Sequence, residues 1–70
     1  MIYREVARKL RRLGCQEFPR RSGGSHRKLY NPATGQGTTL PDWGPQDLKI
    51  GTLHAAVGQL GLTWQDFEEA

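Results

Sequence analysis

Apolar residues recur from Ile2 through Val6 and Leu10 to Leu13, with Ala7 beside them and mostly charged residues between. This spacing predicts an amphipathic helix with one buried stripe. Gly14 is placed to end it, because glycine enters the left-handed conformation that closes a helix without steric cost. Over residues 15 to 41, Pro and Gly punctuate short segments around Phe18, Leu29-Tyr30 and Thr38-Thr39-Leu40. None is long enough for a helix, and three short strands in an antiparallel meander fit the pattern. The turns fall at Ser22-Gly23-Gly24 and at Asn31-Pro32-Ala33-Thr34-Gly35. Pro19 and Pro41 belong at strand edges or ends, since proline has no N–H for the ladder. Residues 42 to 52, with Gly, Pro and Asp around Trp43, read as an ordered connection. Leu53, Ala56, Val57 and Leu60 then set helical spacing, with Gly61 as the stop. Thr63 and Asp66 resemble a capping box opening a last short helix that buries Trp64 and Phe67.

The predicted order is helix, three antiparallel strands, helix, short C-terminal helix, an α+β fold. Helices packed on one sheet face hide their apolar stripes and leave the other face open. That layout resembles the double-stranded-RNA-binding domain. A chain of 70 residues is read as one domain, 1–70, with a small core.

Charge adds direction. Residues 1 to 30 carry nine of the ten Lys and Arg against Glu5 and Glu17, a net +7. The remainder sets Lys49 against Asp42, Asp47, Asp66, Glu68 and Glu69, a net −4. The asymmetry suggests a cationic surface for a polyanion. Cys15 is the only cysteine, so an internal disulfide is excluded. With no apolar run approaching a membrane span or a signal-peptide core, the expectation is a cytoplasmic protein.

His26 is the best candidate for chemistry. It follows Gly23-Gly24-Ser25 and stands among Arg20, Arg21, Arg27 and Lys28. Imidazole exchanges a proton near neutral pH, and RNA cleavage needs proton transfer beside positive charge or backbone N–H groups at the phosphate. On a strand, His26, Lys28 and Tyr30 share one face, with Arg27 and Leu29 on the other. Lys28 and Arg21 could neutralise phosphate, and the backbone at Gly23, Gly24 and Ser25 could approach it closely. The same residues also fit a hairpin turn beside an exposed histidine. The sequence names no second acid or base for His26.

Metal catalysis is not expected, because His54 has no Cys or carboxylate at ligand spacing. His54 reads as a partly exposed helix residue, and Cys15 as a small buried residue at a strand start. Arg8, Lys9, Arg11 and Arg12 suit the solvated face of their helix. Trp43, Trp64 and Phe67 could stack bases but read better as core. A non-catalytic RNA-binding module and a protein-binding adaptor are the competing readings.

Taken in order, Gly23-Gly24-Ser25-His26, Tyr30-Asn31-Pro32, Thr38-Thr39-Leu40-Pro41 and Asp47-Leu48-Lys49-Ile50-Gly51-Thr52-Leu53 resemble a HicA-type mRNA interferase toxin. The resemblance runs from the first helix to Phe67. It implies a double-stranded-RNA-binding-domain-like fold and cleavage of mRNA as a metal-independent endoribonuclease with no cofactor. The toxin would be held in check by a HicB-type antitoxin, monomeric when free and hetero-oligomeric with that partner. The family's catalytic histidine falls on His26, with Gly24 and Ser25 as supporting residues. Many relatives have proline where this chain has Ile50, in a segment that marks the start of the second helix.

Overall fold

The computed structural model describes residues 1–19 and 25–70. The apolar stripe of the first segment forms α1 (Tyr3–Arg12), burying Tyr3, Val6, Ala7 and Leu10. The Glu5 carboxylate accepts a hydrogen bond from the Ile2 N–H at 2.9 Å, satisfying a donor that the first turn leaves without an intrahelical partner. Gly14 follows with φ +93, the left-handed stop expected of it.

The middle of the chain supplies three strands: β1 (Gln16–Glu17), β2 (His26–Asn31) and β3 (Gln36–Pro41). They pair antiparallel in the order β1-β2-β3. Glu17 lies opposite Leu29, Lys28 opposite Thr39, and His26 opposite Pro41. β1 ends before Phe18, although the Phe18 N–H still donates to the Lys28 carbonyl at 2.8 Å. Pro19 cannot continue the ladder. Pro41 is the last residue of β3, an edge strand, where a missing N–H takes no bond from the pairing with β2. The predicted turn at Ser22-Gly23-Gly24 lies outside the described residues. The second turn is present, and its Gly35 has φ +72.

Residues 42 to 49 form the ordered connection, pinned by the Gly44 N–H to Asp42 Oδ1 at 3.0 Å and by the Leu48 N–H to the Met1 carbonyl at 2.9 Å. α2 (Ile50–Gln59) begins three residues before the first apolar position of its stripe. The early N–H groups of a helix need no helical partner, so the weak formers Gly51 and Thr52 are tolerated there. Thr63 Oγ1 accepts from the Asp66 N–H at 3.1 Å and opens α3 (Trp64–Glu69).

Both longer helices pack on one sheet face. Val6, Leu10, Leu29, Leu40, Leu53, Val57, Leu60 and Phe67 form a single core there, joined by Cys15 and Leu48. Each such aliphatic or aromatic side chain contributes about 1.5–3 kcal/mol through removal from water. This is the predicted α+β arrangement, with no described helix or strand covering the opposite sheet face. One expectation is corrected: Trp43 is 39% exposed, because the connection's turn carries it outward and away from the core. Trp64 is only half-buried, and Phe67 is fully buried as expected.

Candidate active site

The strand period of two divides β2 into two sets of residues with different surroundings. His26 and Lys28 are exposed and Tyr30 half-buried on the open face, while Arg27, Leu29 and Asn31 turn toward the helices. Directly opposite residues in an antiparallel sheet share a face, so Phe18 and Gln16 from the β1 side and Gly37 and Thr39 from β3 complete the open surface. Phe18 stacks on Tyr30 with ring centroids 4.8 Å apart, and the Tyr30 hydroxyl donates to Gln16 Oε1 at 2.7 Å.

Beneath His26, on the inner face, lies a charged cluster. Arg27 donates to Glu17 Oε1 at 2.8 Å and pairs with Asp42 Oδ2 at 3.0 Å. The Tyr3 hydroxyl donates to Glu17 Oε2 at 2.7 Å, and Arg11 stands 3.5 Å from the same oxygen. One guanidinium therefore links β1, β2 and the residue that follows β3, with α1 joined through Tyr3. Burial works against the charge of Arg27, yet the hydrogen bond and charge of Glu17 and the charge of Asp42 hold its pKa above the usual value. Burial, followed by the hydrogen bond to Glu17, pushes the Tyr3 phenol well above its ordinary range. The Asp42 N–H also donates to the Ser25 carbonyl, which extends the β2–β3 pairing past His26.

The structure thus brings His26 and Lys28 onto one open face, with exposed Ser25 immediately before them. Gly24 and Arg21, the remaining candidates, lie outside the described residues, as do Arg20 and Gly23. Arg27 is not a free phosphate ligand, being committed to Glu17 and Asp42. Lys9 also departs from the solvated role expected of it. Its Nζ donates to the Phe67 and Glu68 carbonyls at 3.3 Å each and lies over the Phe67 ring, capping the C-terminal end of α3.

His54 is exposed and stacks on Trp64 at 3.6 Å, in keeping with a helix-surface residue. Cys15 is buried just before β1, and burial raises its thiol pKa. Among the described residues, no group of three or more His, Cys, Asp or Glu converges as a metal-binding set. Among the described residues, no helix is long and apolar enough to cross a membrane.

Two features escaped the sequence reading. An arginine on the inward face of a strand demands buried acidic partners, and that signal was available in Arg27, although Glu17 and Asp42 could not be named without the register. The Phe18–Tyr30 stack depends on a diagonal between strands whose connecting turn fixes no register in sequence.

A model of the family described as the HicA toxin of bacterial toxin-antitoxin systems matches residues 3–62. The chain belongs to the HicA toxin family. It is accordingly a toxin of a toxin–antitoxin system, and an antitoxin partner is implied. The match takes in α1, the whole sheet and α2, so it covers every element that positions His26. A search of curated proteins finds no match to the chain.

Proposed function

We propose that this HicA-family toxin is a metal-independent endoribonuclease that cleaves mRNA in the cytoplasm, with His26 as its catalytic residue. The observation that supports this reading is the exposure of His26 and Lys28 together on the uncovered sheet face of a toxin-family chain. His26 takes the proton of a ribose 2′-hydroxyl, and the resulting oxygen attacks phosphorus. The phosphorus–O5′ bond then breaks, leaving a cyclic phosphate on one fragment. The departing oxygen receives the proton back from the imidazolium, so one histidine closes the cycle. Lys28 offsets the charge that builds on the phosphate, and Ser25, Gly24 and Arg21 shape its approach. A HicB-type antitoxin silences the toxin by covering the same face.

The deciding experiment incubates purified chain with end-labelled RNA, with and without a chelator, beside His26→Ala. The expected result is chelator-resistant cleavage by the wild type, yielding cyclic phosphate ends, and none by the folded variant. Equal cleavage by His26→Ala would remove this histidine from the chemistry. RNA binding that falls with salt, unaccompanied by any wild-type cleavage, would instead identify a non-catalytic binding module.

A further inference from the structure

Phe18 is 47% exposed although its ring is held in place by an aromatic neighbour. It takes no part in the core, which lies on the other side of the sheet. We propose that the Phe18–Tyr30 pair is a stacking platform for one unpaired nucleobase of the RNA substrate, seating the chain whose phosphate is attacked at His26. This rests on the endoribonuclease reading above and adds the subsite that positions its substrate.

Four observations converge. The protein itself holds the pair together: Tyr30 is tied through its hydroxyl to Gln16, and Phe18 is tied through its N–H to Lys28 and through its ring to Tyr30. It stands on the same face as His26, since Tyr30 is four residues along the same strand, about 13 Å at the usual strand rise. Between them stands Lys28, a cation suited to phosphate, halfway along that row and directly across from Phe18. Finally, Phe18, Lys28, Gly37 and Thr39 line part of one shallow, open depression that also takes in Leu29, Thr38 and Gln59.

Gly37 lies opposite Tyr30 and presents bare backbone there, where a Cβ would meet the Leu29 carbonyl oxygen at 3.1 Å. An aromatic face beside a cation on an open sheet is the combination by which proteins hold unpaired bases, with stacking tolerant of sequence and the cation tracking the backbone. The same charge complementarity, Lys28 against phosphate, favours RNA over an apolar protein segment as the occupant. A duplex could not use the platform, because its bases are already stacked. The platform therefore makes the toxin a reader of single-stranded regions.

The test measures affinity for a short single-stranded RNA carrying 2-aminopurine, with His26→Ala as the uncleaving background and full-length chain throughout. Removing one base–aromatic stack weakens binding about 5- to 150-fold. Phe18→Ala in that background should show a loss in this range and should abolish the quenching of 2-aminopurine fluorescence that stacking produces. The salt dependence of binding should keep its slope, because no phosphate contact is lost. Phe18→Trp should retain both affinity and quenching. Circular dichroism of Phe18→Ala, whose altered residue is exposed, confirms that the fold persists. If Phe18→Ala binds the probe and quenches it as well as its parent does, the platform is refuted. A Phe18→Ala variant that loses antitoxin binding while keeping RNA affinity also refutes it. A wild-type chain that neither binds nor cleaves RNA would overturn the endoribonuclease reading first, which is a separate and distinguishable result.

Discussion

Replacing Arg27 with methionine removes a cation that joins β1, β2 and the end of β3 beneath His26. Its side chain is 22% exposed, and those of Glu17 and Asp42 are 17% and 22% exposed. Stranding the partners of a fully buried pair costs about 3–5 kcal/mol. Residual solvent at these carboxylates screens part of that cost. The substitution also removes the buried Arg27 Nε, which has no hydrogen-bond partner among the described residues. Eliminating such an orphan donor returns about 1 kcal/mol or more. The net expected loss is about 2–3 kcal/mol, a large share of the roughly 4–10 kcal/mol available to a chain of this size. Urea unfolding at low temperature, followed by circular dichroism, measures the change. Combining Arg27→Met with Glu17→Gln and Asp42→Asn should recover part of the loss, because the stranded charges disappear with their partner. A loss below about 0.5 kcal/mol, the range of solvent-exposed ion pairs, would refute the view that this cluster holds the strand ends together.

Two further outcomes follow from the geometry. The raised Tyr3 pKa means that, above the ordinary value of 10.0, the unfolded chain releases a proton that the folded chain keeps. Stability contributed by Tyr3 is therefore complete below that pH and lost as pH rises toward the folded value. Tyr3→Phe should lower stability near neutrality, where its hydrogen bond to Glu17 is lost, and should flatten the alkaline decline relative to wild type in pH-dependent melting. An equally steep decline in both proteins would rule Tyr3 out as its source. Gly61→Ala should cost about 2–4 kcal/mol, combining left-handed backbone strain with overpacking. Gly61 has φ +73, and an added Cβ would meet the Gln36 side chain and lie 2.9 Å from Thr34 Cγ2. Gly35→Ala, with φ +72 and nothing within 4 Å, should show the backbone part alone, about 1–2 kcal/mol. Equal losses at the two positions would deny the contact at Gly61.

The elements were legible where periodicity and punctuation agreed. Val6 and Leu10 set helical spacing that Gly14 closes, and Leu53 to Leu60 do the same before Gly61, so α1 and α2 could be drawn from sequence. Alternation along β2 separated His26 and Lys28 from Arg27 and Leu29 before any contact was known. What the chain could not disclose was pairing at a distance. Lys9 reads as one more surface cation until α3 is placed against α1, 58 residues along the chain from Phe67. Trp43 reads as core because large aromatics usually are, yet a turn in the connection directs it outward. The platform at Phe18 depends on which residue of β2 it faces, and only the sheet register decides that.

The two ends of β2 are fastened by different physics. At Asn31, the side-chain amide donates to the Leu60 carbonyl at 2.9 Å, and Thr34 donates to the same oxygen at 3.1 Å, so that end is held by neutral groups. At Arg27 the fastening is ionic. Concentrated salt, which screens ion pairs, therefore acts on the Arg27 end and spares the other. The strand should open like a zipper from its ionic end, with amide exchange graded from Arg27 toward Asn31. A toxin built this way can relax one end of its central strand without surrendering its core.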